Sequence, residues 1–235
     1  MEREFELFGP SHLAALIVLV GGVILMVALG RRVRGTPREA ITRRALALLS
    51  LGLILPWQIW TTLPEQFSIQ YSLPFELCDV AWIVSLIALW TKRRWACGTL
   101  YYWGLTLTTQ AMATPRLKAD FPTLDFLAFW GEHLLVVWTA VFVTWGLGFR
   151  PGWGDLARTA AVTAAWAAAM FVFNSVMGTN YLFVNHKPIT PSLLDILGPW
   201  PVYLGAELLL ALAVWALITL PWTKGLHDRG IDRAR

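Results

Sequence analysis

The apolar residues of this chain arrive in long runs, and its charges gather between the runs rather than inside them. Seven runs are legible, at about Ser11–Gly30, Arg44–Leu63, Leu73–Trp90, Trp95–Ala113, Leu124–Leu147, Leu156–Met177 and Gly198–Leu220. Each approaches the roughly 20 residues a helix needs to cross the hydrocarbon of a bilayer. They are too long for buried strands and do not alternate strictly, which argues against an outer-membrane barrel. The 235 residues are 57% hydrophobic and only 14% charged, against about a quarter charged in a soluble domain. The pattern predicts an all-α polytopic membrane protein, seven transmembrane helices forming one bundle domain over 1–235. The third and fourth runs are the weakest, being short and polar at one end.

Lysines and arginines orient the bundle. With the N-terminus outside, the inner side receives 15 of the 19 basic residues, at 31–44, 92–94, 150–158 and beyond 222. The outer side receives Arg3, Arg116, Lys118 and Lys187. That bias follows the positive-inside rule over loops short enough for it to apply, so the N-terminus is expected outside and the C-terminus inside. The acidic start MEREFELFGP has no basic n-region, and the first run reads as a retained span. The net charge of +4 sits beside the spans and is no signal for nucleic acid. Cys78 and Cys97 fall near opposite ends of their helices, so no disulfide is expected. The segment from Lys224 to Arg229 reads as a solvated, disordered tail.

Nine of the 14 tryptophans, at 57, 60, 90, 95, 130, 145, 153, 200 and 222, fall near helix ends, as interfacial belts require. Trp82, Trp103, Trp138, Trp166 and Trp215 are deeper and are expected to pack within the bundle or against lipid. Ala157, Ala161, Ala165 and Ala169 form a small-residue stripe of period four, which predicts a close helix–helix contact.

Ionisable residues inside spans are expensive unless paired or facing a cavity, so they mark candidate sites. Leu73-Pro74-Phe75-Glu76-Leu77-Cys78-Asp79 opens the third span, with Pro74 in its first turn and Glu76 and Asp79 on one helical face. The fifth span carries Glu132 and His133, the latter roughly 13 Å into the membrane zone at the helical rise. Glu207 lies at similar depth in the last span. Gln110, Asn174 and Asp195 fall near outer helix ends, so the polar groups share the outer half. A pocket opening outward, or sideways into the outer leaflet, fits that asymmetry.

Several chemistries could use the cluster. Cys78 is a candidate nucleophile with His133 as its base and Asp79, Glu132 or Glu207 as orienter. Asn174 or Asn180 are candidate donors to a developing oxyanion. Metal binding by Glu76, Asp79, His133 and Glu207, joined by His186, is the rival, but these residues lack compact ligand spacing, and neither metal nor cofactor is expected. Polar pairing between helices without chemistry also accounts for them. Between the sixth and seventh spans, prolines at 188, 191, 199 and 201 impose stiff extended pieces, and the apolar residues among them suggest a cap folded over the bundle. His186 and Lys187 in that cap could meet a phosphate headgroup. His12, at the start of the first span, reads as a snorkelling or capping residue.

The segments 73–79, Gly178-Thr179-Asn180-Tyr181, Asn185-His186-Lys187-Pro188, Ser192-Leu193-Leu194-Asp195 and Leu197-Gly198-Pro199-Trp200-Pro201 resemble the YwaF-like family of bacterial integral membrane proteins. That family is often grouped with a vertebrate transmembrane phospholipid acyltransferase. The likeness covers most of the spans, with Glu76 standing where relatives often have histidine or glutamine. It implies a multi-pass protein of the bacterial cytoplasmic membrane acting on membrane phospholipids. By the same resemblance Cys78 would carry an acyl intermediate and His133 would be its base. Glu76, Gln110, Glu132, Asn174, Asn180, His186, Lys187, Asp195 and Glu207 are the residues expected around the substrate. The alternatives are a small-solute or ion transporter coupled through the carboxylates, and a lipid-binding protein without turnover; self-association is left open.

Overall fold

A computed structural model describes residues 3–115, 117–188 and 195–231. Among them the chain forms seven helices: α1 (Pro10–Val33), α2 (Arg38–Thr61), α3 (Leu77–Thr91), α4 (94–113), α5 (Leu124–Gly146), α6 (Trp153–Met177) and α7 (Val202–Ile231). The protein is an all-α, multi-pass membrane protein: α1, α2, α5, α6 and α7 are each long and apolar enough to cross a membrane. The expected tail from 224 to 229 continues α7 instead of leaving it. Arg116 and the stretch 189–194, part of the expected cap, lie outside the described residues.

The two runs that looked weakest in sequence occupy the centre. α3 has 15 residues, about 22 Å of helix against a hydrocarbon core of roughly 30 Å. α4 is interrupted by a π-helical turn at Trp103–Leu107. Trp82, Ala88 and Leu89 of α3, Leu100, Tyr102 and Trp103 of α4, and Val136 and Ala140 of α5 form the core. Helices largely covered by their neighbours need neither full length nor uniform apolarity.

The five deep tryptophans hold this arrangement together, because an indole N–H in hydrocarbon must find a protein acceptor. Trp82 donates to Ser50 Oγ (2.9 Å), Trp103 to Thr163 Oγ1 (2.9 Å) and Trp215 to Thr106 Oγ1 (3.0 Å). Trp138 donates to the Leu19 carbonyl (3.1 Å) and Trp166 to the Phe75 carbonyl (3.1 Å). Trp130, expected in an interfacial belt, is buried against His12 and Phe126.

Side-chain contacts define two ends. At the cap end, His12 meets the Met112 carbonyl (3.0 Å), Gln58 donates to the Ser72 carbonyl (2.9 Å) and Gln70 to the Gly178 carbonyl (3.0 Å). At the arginine end, Lys92 pairs with Glu39 (2.6 Å), and Arg94 and Arg158 with Asp155 (2.5 and 3.3 Å).

The alanine stripe does not serve as expected: Ala157, Ala161, Ala165 and Ala169 are exposed on the outside of α6. The close approach is made by glycines elsewhere. A Cβ on Gly30 of α1 would stand 2.5 Å from Gly146 Cα of α5, and one on Gly22 would enter the Trp138 ring. Gly21, one residue away, has open space around it. Gly30→Ala is therefore expected to force α1 from α5 and cost about 1–3 kcal/mol by overpacking, more than its helix-propensity gain of up to about 1 kcal/mol. Thermal unfolding in detergent should show a lower midpoint for Gly30→Ala and an unchanged or higher one for Gly21→Ala. Equal midpoints for wild type and Gly30→Ala would show that these helices part without cost.

Candidate functional site

The start of α3 differs from the helical entry expected at Leu73. Pro74 lies before the helix rather than in its first turn, and Glu76 is extended (φ −66°, ψ 153°). The helix begins only after Glu76, whose main-chain N–H donates to Asp79 Oδ2 at 2.9 Å. This is half of a capping box, which satisfies a donor the helix cannot. Glu76 therefore stands at the cap position, outside the helix, and meets Asp79 through this bond. The Glu76 carboxylate turns instead to the cap, where Oε2 accepts from Leu182 N–H at 3.2 Å.

Beginning the helix there brings Cys78 and Asp79 against Glu132 of α5. One donor atom from each, the Cys78 sulfur and a carboxylate oxygen of Asp79 and Glu132, lie within 4.8 Å of one another, and all three residues are half-buried. Glu132 Oε1 is buried without a hydrogen-bond partner. Neither cysteine is in a disulfide.

His133 is not among the groups gathered within 4.8 Å of one another there. It is buried, stacks on Phe129 with centroids 4.1 Å apart, and bonds through Nδ1 to the Phe129 carbonyl at 2.7 Å. A carbonyl only accepts, so Nδ1 carries the proton and Nε2 keeps its lone pair. The group that fixes the ring is thus a main-chain carbonyl one turn back, not Asp79, Glu132 or Glu207, and His133 makes no hydrogen bond to Cys78.

The cap is built on two asparagines. Asn174, buried at the end of α6, spends both amide hydrogens on the Tyr181 carbonyl and Asn185 Oδ1 (2.9 Å each), while its oxygen accepts from Thr179 Oγ1 (2.7 Å) and Tyr181 N–H (3.0 Å). Asn180 donates to the His186 carbonyl (2.8 Å), lies 3.0 Å from His186 Nδ1, and accepts from the N–H groups of Asn185 and His186. Both asparagines hold the cap's own backbone. Lys187 pairs with Asp195 (3.5 Å) and lies over the Tyr203 ring. Tyr203 donates to the Phe183 carbonyl, and Trp200 to that of Val184 (3.1 Å). Tyr181, buried beneath, donates to the Ile69 carbonyl (2.8 Å) and accepts from Leu73 N–H (3.3 Å), binding the cap to the strand-like entry of α3. Burial, together with the nearby carboxylates, raises the Tyr181 phenol above its usual range, so it remains a donor.

Leu182 and Phe183 have left-handed backbones (φ 58° and 53°), a conformation strained for side-chain-bearing residues. Their turn is what presents Leu182 N–H to Glu76.

Gln110 and Glu207 stand apart from the triplet and are exposed. Both lie on the cap side of the Trp215–Thr106 hydrogen bond, Gln110 one turn beyond Thr106 and Glu207 two turns before Trp215. The apolar reading of the inner half missed Asp155, which is buried and bonded to Gly152 N–H (3.0 Å) besides its two arginines. It also missed Tyr102, bonded to Thr219 (2.7 Å). His12, read as a snorkelling or capping residue, is fully buried, accepting from Phe8 N–H (2.9 Å) through Nδ1 and reaching the Met112 carbonyl through Nε2. A histidine two residues after a helix-starting proline was the only sequence sign of it.

A family model described as the TMEM164 family matches residues 7–219, nearly the whole bundle with the Cys78 triplet and the described cap. The chain belongs to the TMEM164 family. No curated protein and no solved structure matches it. Family membership thus extends from the turn before α1 through most of α7, so the cap and its seat belong to the family domain.

Replacing Asn174 by leucine leaves the Tyr181 N–H and C=O and the Thr179 hydroxyl without partners, each orphan costing about 1–3 kcal/mol. Hydrogen exchange should accelerate selectively at 178–186 in Asn174→Leu while the α3–α5 core stays protected. Unchanged exchange there would remove Asn174 as the holder of the cap.

Proposed function

We propose that the chain crosses the membrane seven times, N-terminus outside and C-terminus inside, and acts on phospholipid acyl chains as an acyltransferase or acyl hydrolase with Cys78 as nucleophile. The observation that carries this reading is the meeting of the Cys78 sulfur with the carboxyl groups of Asp79 and Glu132 at a half-buried point beneath the cap. The resemblance of the segments around Cys78 to the YwaF-like family supports the same chemistry. In the first step Cys78 Sγ attacks the ester carbonyl carbon, a thioester forms and the bond to the glycerol oxygen breaks. The thiol proton passes by way of the Glu132 carboxyl group, which lies in the triplet, to Nε2 of the adjoining His133, whose lone pair the Phe129 carbonyl leaves free, and from there to the departing alkoxide. In the second step a hydroxyl of an acceptor lipid, or water, gives its proton to His133 and attacks the thioester, and the proton then returns to Sγ. Negative charge on sulfur would face two carboxyl groups, so proton removal accompanies attack rather than preceding it. Asp79 helps to set the charge around the sulfur, and Gln110, Glu207, His186 and Lys187 line the approach for the lipid.

Intact mass spectrometry after incubation with isotope-labelled phospholipid tests this directly. The wild type should gain one labelled acyl group and Cys78→Ala none, while His133→Gln should form the adduct about 10²–10⁴ times more slowly. Full phospholipid turnover by Cys78→Ala would end the covalent reading. A second reading, a carrier coupled through intramembrane carboxylates, draws on the unpartnered Glu132 Oε1; uptake driven by a pH gradient and lost in Glu132→Gln would favour it.

A further inference from the structure

The turn joining α1 to α2 forms a half-open cavity of about 270 Å³ lined by Arg32, Val33, Thr36, Pro37 and Arg38. Pockets for drug-sized ligands begin near ~300 Å³, so this one suits a headgroup fragment rather than a whole lipid. Residues 31–44 carry six arginines, and four are engaged within the protein. Arg31 donates to the Trp145 carbonyl (3.5 Å), Arg43 to that of Leu89 (2.5 Å), and Arg44 lies over the Trp90 ring (5.9 Å). Arg34 lies against Gly148, where a Cβ would come within 2.3 Å of its guanidinium. The nearby acid, Glu39, is held by Lys92 (2.6 Å) and Arg43 (3.7 Å). Arg32 and Arg38 have no partner among the described residues, and they are the two that line the cavity.

We propose that this cavity binds the phosphodiester of an anionic glycerophospholipid. The guanidinium forks of Arg32 and Arg38 match the oxygens of a phosphate, which can take two parallel hydrogen bonds from each. Val33 and Pro37 supply an apolar wall where α1 ends and α2 begins. A lipid reaching this point keeps its chains in hydrocarbon and needs to insert only its headgroup. Soluble phosphate lacks that anchorage. The site lies at the arginine end, away from the cap, and does not depend on the chemistry of Cys78.

Native mass spectrometry of the full chain, released from micelles doped with phosphatidylglycerol or phosphatidylcholine, tests the proposal. The wild type should retain phosphatidylglycerol in preference. Arg32→Gln with Arg38→Gln should reduce that retention about 10–30-fold, the range expected for two arginines at a membrane surface. Arg31→Gln with Arg44→Gln, removing equal charge from engaged positions, should reduce it less than about threefold. Equal loss in the two double variants would mean diffuse attraction and overturn the site. Displacement of the lipid by millimolar inorganic phosphate would overturn the lipid as its occupant. Arg32→Lys with Arg38→Lys keeps the charge and, with it, the fold of the turn; retention at the wild-type level there would overturn recognition by the guanidinium forks.

Discussion

An indole N–H in hydrocarbon has no water to turn to, and five tryptophans meet that constraint by reaching to another part of the bundle. Trp82 ties α3 to α2, Trp103 ties α4 to α6, Trp138 ties α5 to α1 and Trp215 ties α7 to α4. Trp166 ties α6 to the extended chain before α3. Every helix is reached by at least one of them. Hydrophobicity cannot select partners in a bilayer, since lipid is as apolar as a leucine, so directional bonds and close packing must do so. Between α1 and α5 the glycine contacts add close packing to the bond that Trp138 makes.

The bond from Trp166 matters most for the site, because it fixes the carbonyl of Phe75, three residues before Cys78. Glu76 is held from both directions, its N–H by Asp79 and its carboxylate by Leu182. Tyr181 then grips Ile69 and Leu73. Segments more than a hundred residues apart, 73–79 and 178–188, thereby become one structure. The same segments carry the family resemblance, and their contacts give a physical reason: each supplies backbone or side-chain partners that the other requires. Any change of loop conformation in the cap would reach Cys78 through Glu76.

Much of the fold was legible because hydropathy reports how long a segment stays out of water, and helix ends agreed with the sequence to within a few residues for α1, α4, α5 and α6. Hydropathy does not report which apolar face meets protein and which meets lipid. The alanines of α6 accordingly read as an interface and proved exposed, while Gly30 and Gly146, one in each of two distant spans, gave no local pattern. Helix periodicity put Glu76 inside the helix with Asp79, whereas the helix starts one residue later and the two meet through a capping bond. The pairing of Cys78 and Asp79 with Glu132 depends on how α3 sits against α5, which spacing along the chain cannot give. The orientation of His133 depends on the Phe129 carbonyl four residues earlier, a bond that competes with any side-chain partner and leaves no trace in composition.

The two ends of the bundle treat buried acids differently. Asp155 is met by two arginines and a main-chain N–H, and Glu39 by Lys92 and Arg43, so both are consumed by structure. At the cap end Asp79 is occupied by the Glu76 N–H and Glu76 by that of Leu182, arrangements that shape a turn without bringing in a cation. Glu132 differs from all of these, for its Oε1 is buried with no partner while its neighbours are a thiol and another carboxyl group. An orphaned buried acceptor costs about 1–3 kcal/mol, a cost that an apolar side chain would not carry. The α3–α5 junction, unlike the better-satisfied cap, therefore holds a buried carboxyl oxygen that no donor among the described residues meets.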